Sequence, residues 1–193
     1  ANNQLTEIRA ADLRFSVGET AVFLQEVMSL SLTSADIAAL EAKTEGWIVG
    51  LQLAGLSVRD RANPSAFIAD LNGSHRHILS YLTEEVLNQQ SVEIQEFLLR
   101  TSILSRLCGP LCAAVLEDAG VSGQETLELL EHTNLFILPL DNERRWYRYH
   151  HLFRDLLRNR LGQSRTPDEI TQFHIRASQW YEDHDLVIEA FHH

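Results

Sequence analysis

The chain has 193 residues, 45% of them hydrophobic, and a formal net charge of −11. This composition supports a buried core rather than a disordered tail, and the acidic balance opposes nucleic-acid binding, which rests on clustered Lys and Arg. No apolar run nears the roughly 18 residues that a membrane span requires. Cys108 and Cys112 cannot build a disulfide framework, so a reducing, cytoplasmic setting is expected.

The opening Ala1-Asn-Asn-Gln lacks a signal-peptide pattern and reads as a cut inside a longer protein. Residues 6–15 read as a strand end. Ser16 with Glu19 forms a capping-box signature ahead of a helix over 17–30, and Thr33 with Asp36 repeats it ahead of a short helix carrying Ile37 and Leu40. Gly46 suits the C′ position of that helix. Residues 47–58 are apolar nearly all round, which predicts a helix buried on every side. Asn63-Pro64 opens another helix, expected to stop at Asn72-Gly73. Ile78, Tyr81, Leu82 and Val86 predict the next, ending near Gln89 or Gln90, and Ile94, Phe97, Leu98 and Thr101 one more. Gly109-Pro110 starts a helix through Glu117 that Gly120 ends, and 122–133 forms a further helix with Leu127 and Leu130 inward. The period then changes. Residues 135–140, the polar turn 141–144 and residues 145–149 read as a β-hairpin.

Three helices and a hairpin follow the order of a winged helix, here spanning 91–162 with one helix added. The polar stretch 162–166 reads as a linker before two more helices, which could begin a helical-repeat array. The third helix of a winged helix normally enters the major groove. Here it carries Glu125, Glu128 and Glu131 at three-residue spacing, and Arg144, Arg145 and Arg148 in the wing do not offset that strip.

The segment Arg145-Trp-Tyr-Arg-Tyr-His-His-Leu-Phe-Arg154 is the strongest candidate for chemistry. It places His150 and His151 at a strand end beside a helix N-terminus, where imidazole and backbone N–H groups can meet an anion together. The plainer alternative is one structural and one exposed histidine. Shared metal ligation is disfavoured, because adjacent strand residues face opposite ways. His75 and His77 sit at a helix start without i, i+4 spacing. Cys108 and Cys112 read as small buried side chains, and Glu84 and Glu85 as a solvated face. No Gly-x-x-x-x-Gly-Lys-Ser/Thr loop occurs.

Four stretches together resemble one family: Leu13-Arg-Phe-Ser16, Thr44-Glu-Gly-Trp-Ile-Val-Gly-Leu-Gln-Leu-Ala54, Phe97-Leu-Leu-Arg-Thr-Ser-Ile-Leu104 with Leu107-Cys-Gly-Pro-Leu-Cys112, and Tyr149-His-His-Leu-Phe153. They are similar to the MalT-like regulators, large ATP-binding LuxR-family members of the signal-transduction ATPases with numerous domains. The resemblance implies a mainly α segment: the end of a P-loop ATPase core (1–15), a helical lid (16–90), a winged helix (91–162) and the first helices of a helical-repeat arm (163–193). It implies ATP or ADP, with Mg, in the full-length parent and no enzyme activity in this segment. In such proteins a winged-helix histidine contacts the β-phosphate of ADP and holds the resting form. His151, nearer the helix start, is favoured for that contact over His150. Gly46-Trp47-Ile48 resembles the lid motif Gly-x-Pro that packs on adenine, with Ile48 replacing proline. The implied partners are the parent's own ATPase core and sensor arm, an inducer at the arm, further copies on activation, and DNA only through a C-terminal domain elsewhere. No membrane is involved. The rival reading is a nucleotide-independent scaffold for protein interactions.

Overall fold

The computed structural model describes residues 10–59, 61, 63–71, 76–117 and 122–193. The chain divides into two compact units, Ala1–Ile78 and Leu79–His193.

In the first unit a 3₁₀ turn covers Ala10–Leu13, in place of the expected strand end; residues 6–9 lie outside the described residues. Helix α1 (Val17–Val22) starts on the Ser16–Glu19 capping box and runs into a π turn, Phe23–Val27. It therefore stops short of residue 30, and Ser29 takes a left-handed conformation. The second capping box, Thr33–Asp36, starts α2 (Ser34–Thr44). Its carboxylate also accepts from Ser65 Oγ at 3.1 Å, which ties α2 to α4 (Pro64–Asp70). Lys43 Nζ donates to Ala69 O at 2.8 Å and Leu71 O at 3.0 Å, closing the end of α4. The expected stop at Asn72-Gly73 lies outside the described residues.

Helix α3 (Ile48–Val58) is not buried all round. Leu51, Ala54 and Val58 form its inner face, whereas Gln52 is exposed and Leu56 is 44% exposed. An even apolar distribution gives a helix no preferred inward face by itself. Close packing chooses one, at Gly55 against Met28 and Leu30.

Helix α5 (Arg76–Tyr81) spans the division between the units and continues, in the second, as a π turn (Leu82–Val86) and a 3₁₀ turn (Leu87–Gln89). Then follow α6 (Val92–Thr101), α7 (Gly109–Leu116) and α8 (Gly123–His132). Helix α7 ends on Glu117 in the left-handed region at φ 55°, while the expected stop Gly120 lies outside the described residues. Strands β1 (Ile137–Pro139) and β2 (Tyr147–Tyr149) pair antiparallel, Ile137 opposite Tyr149. Leu107 adds an isolated antiparallel bridge to β2 by exchanging two 2.8 Å backbone hydrogen bonds with Tyr147. Leu98, Leu107, Leu111, Val115, Leu127, Tyr147, Phe153 and Leu156 make the core.

Helix α9 (His151–Ser164) runs through Gly162, so the expected linker shrinks to Arg165–Thr166. Gly162 has open space around its Cβ position, and nothing packs there to break the helix. Helix α10 (Pro167–Asp183) begins with a third capping box, Thr166–Glu169, and α11 (Val187–Phe191) packs on it. Among the described residues, no helix is long and apolar enough to cross a membrane.

Candidate functional site

The hairpin delivers the two histidines to the start of α9. The His150 backbone N–H donates to Phe136 O at 2.7 Å, in register one pair beyond Ile137 and Tyr149; Phe136 itself has φ 54°, the ladder ends there, and the chain turns into the helix. His150 is the N-cap and His151 the first helical residue. They therefore do not alternate across a strand. Their rings stack, with centroids 4.9 Å apart and 16° between planes. The opposite-face argument fails here because the strand ends one residue too early for it to apply.

His150 is 4% exposed and His151 is half-buried. The Leu152 N–H donates to His150 Nδ1 at 3.3 Å, which leaves Nε2 as the nitrogen that carries a proton. The His150 ring meets the edge of Phe136 at 6.0 Å. Below it, Tyr149 is locked: its hydroxyl lies 2.7 Å from Thr101 Oγ1, which in turn donates to Phe97 O at 2.6 Å. Burial pushes the Tyr149 hydroxyl pKa well up, so it stays neutral and donating.

The first turn of α9, like those of α3, α4, α5 and α7, holds no carboxylate, which separates it from the remaining helices. The first turns of α1, α2, α8 and α10 hold Glu19, Asp36, Glu125 and Glu169, which offset the positive end of the helix dipole. Helix α9 has no acidic residue in its first turn. Arg154 adds positive charge three and four residues after the histidines, hence on the same side of the helix. Its Nε is buried without a hydrogen-bond partner among the described residues. The sequence reading passed over Arg154, although its spacing from the histidines was visible.

Within the first unit, Glu45 (φ 50°) and Gly46 (φ 70°) form a left-handed end to α2, with Gly46 at the C′ position expected for it. The φ of 70° and the 2.4 Å approach that a Cβ on Gly46 would make to Phe15 O both require glycine, and the Phe15 N–H donates to Gly46 O at 2.9 Å. Trp47 caps α3 and lays its ring over Gly50, whose added Cβ would meet Cε3 at 2.4 Å. Ile48 occupies the first helical position of α3, where proline is favoured. Both Trp47 and Ile48 remain partly accessible.

The remaining sequence candidates separate from these. Glu84 and Glu85 are exposed. Cys108 and Cys112 are buried free thiols whose pKa burial raises. His77 is exposed, and His75 lies outside the described residues. In α8, Glu131 accepts from the Tyr147 hydroxyl at 3.2 Å and pairs with Arg144 at 3.3 Å, so part of the acidic strip is bound to the wing.

Helices α6 to α8 with the hairpin define a winged helix, and its hairpin leads into α9, whose first turn holds no acidic residue. Residues 83–170 match the family model of the MalT winged helix domain. The chain is 35% identical over 192 residues to the serine/threonine-protein kinase PknK of Mycobacterium tuberculosis, an alignment covering 99% of the chain and 17% of that protein. It is 34% identical over 196 residues to the HTH-type transcriptional regulator MalT of Yersinia pestis, covering 99% of the chain and 21% of that protein. The chain belongs to the family of MalT-like regulators and spans about a fifth or less of the length of these relatives.

Proposed function

We propose that this segment is the nucleotide-responsive switch of a larger MalT-like, ATP-dependent transcriptional regulator. His151, supported by His150, donates a ring N–H to the β-phosphate of ADP, which a P-loop domain elsewhere in the parent holds by its other contacts. The single observation that carries this reading is the start of α9. Two stacked imidazoles and Arg154 sit there, with no carboxylate in the first turn, in a chain of net charge −11. Gly46, Trp47 and Ile48 are proposed to supply the adenine side of the nucleotide contact. Ile48 there offers an apolar face in place of the proline ring. The proposed lid (16–90), winged helix (91–162) and first arm helices (163–193) then follow the domain order of the family.

The switch follows from differential affinity. A nucleotide that binds the closed arrangement better than the open one stabilises it by that difference and no more. ADP holds the resting form, and inducer at the arm with exchange to ATP releases it for self-association and transcription activation. DNA is contacted through a separate C-terminal domain. The segment by itself is proposed to bind ATP or ADP only weakly and to catalyse nothing.

The test uses the longer protein that contains this segment. His151→Ala is expected to speed ADP release and raise basal transcription, with His150→Ala the weaker variant. Unchanged ADP off-rates and unchanged basal transcription in both variants would refute the reading.

A further inference from the structure

The second unit holds a cavity of about 450 Å³, large enough for a small metabolite. Ile103, Leu161 and Ile170 give it an apolar side, and Arg158, His174 and His193 a polar one. Arg158 differs from the other arginines that brace this unit. Arg106 pairs with Glu189, Arg165 with Glu96, and Arg176 with Glu117. Arg158 has no carboxylate within ion-pair distance among the described residues. Its Nε and Nη2 donate to Ser102 O and Ile103 O, both at 2.8 Å, which fixes the guanidinium plane. A guanidinium carries five N–H donors, so most of its capacity is left for a ligand. Burial and the neighbouring Arg154 charge lower its pKa, with Asp155 acting in the opposite direction.

His174 Nδ1 and His193 Nδ1 face each other at 2.9 Å, one donating to the other. A bare metal ion at these rings would be repelled by Arg158 and would displace their shared proton. An anion would meet a fixed cation and two adaptable rings. We propose that this cavity binds a small metabolite bearing a phosphate or carboxylate group. The oxyanion pairs with Arg158, the histidine that accepts the Nδ1 hydrogen bond donates its free Nε2–H to it, and the body of the ligand lies on Ile103, Leu161 and Ile170. The proposal goes beyond the nucleotide reading and needs no nucleotide. A ligand there would join α9, α10 and the end of α11, so its binding would stiffen the seam between the winged helix and the helices that follow.

The probes are phenyl phosphate, benzoate, inorganic phosphate and the neutral benzyl alcohol, titrated into the 193-residue chain while the ring resonances of His174 and His193 are followed by NMR. Saturable shifts of both rings are expected with phenyl phosphate or benzoate, and the tighter of the two identifies the preferred headgroup. Inorganic phosphate and benzyl alcohol should each bind at least tenfold more weakly. Arg158→Met should weaken binding at least tenfold. Ser105→Asp, which puts a competing carboxylate into the lining and leaves the bonds of Arg158 intact, should do the same. No saturable shift with either aromatic anion would overturn the proposal. So would benzyl alcohol or inorganic phosphate binding as tightly, or Ser105→Asp binding like the parent chain.

Discussion

The buried pair Thr101 and Tyr149 gives a sharp prediction, because the two hydroxyls are not equivalent. Thr101 has one proton and gives it to Phe97 O at 2.6 Å, so at the 2.7 Å contact Tyr149 must be the donor. Thr101→Val removes the acceptor that the Tyr149 hydroxyl has among the described residues while keeping the shape. A buried polar group left unsatisfied costs about 1–3 kcal/mol. Tyr149→Phe instead leaves Thr101 still donating to Phe97 O, and should cost about 0.5–1.5 kcal/mol, the net worth of one hydrogen bond. The double variant should then resemble Tyr149→Phe alone, so the coupling equals the Thr101→Val cost, about 1–3 kcal/mol. Urea unfolding in a Trp47→Phe background, where fluorescence comes from Trp146 and Trp180 of the second unit, reads this directly. At a slope of roughly 1–3 kcal/mol per molar, Thr101→Val should lower the midpoint by about 1 M. If Thr101→Val shifts the midpoint no more than Tyr149→Phe, or the two effects simply add, the donor assignment is wrong.

Two further outcomes follow from other parts of the second unit. A Cβ on Gly123 would lie 2.4 Å from Gly109 O, where the starts of α7 and α8 cross; Gly123→Ala should therefore cost about 1–3 kcal/mol in the same urea assay, and an unchanged midpoint would refute the close approach. Burial and neighbouring positive charge lower the pKa of His174 and bring that of His193 down to about 4, both below the unfolded value of about 6.5. The unfolded chain thus takes up these protons first, so this contribution is complete above about pH 6.5 and is lost as pH falls towards 4. Urea midpoints of the second unit should drop across that window, and His193→Gln should flatten the drop.

Much of the helical order was legible because caps are local. Ser16–Glu19 and Thr33–Asp36 each satisfy orphan N–H groups within four residues, so spacing alone announces them. The hairpin was legible for a similar reason, since the period changes at Leu135 and a polar turn follows. Features set by distant partners were not legible. Helix ends at Glu45 and Glu117 and the turn residues Asn134 and Phe136 adopt left-handed conformations without glycine, held by surrounding packing. The buried side of α3 was hidden by its even apolar content. For the candidate site, position was readable and posture was not. The sequence located His150 and His151 at the junction, but their stacking arises from a strand that ends at Tyr149 and a helix that starts at His151, which puts His150 at the N-cap. The cavity at Arg158 gave no local signal, since its walls come from segments up to 90 residues apart.

The two contacts of Glu131 reach beyond the local ion pair. With Tyr147 and Arg144 both fastened to α8, and the His150 amide fastened to Phe136, the hairpin cannot swing as a free flap. Any tilt of the imidazole pair must carry the hairpin and α8 with it as one block. Glu131, on the helix that another winged helix would offer to a duplex, is here spent on internal bracing of the wing.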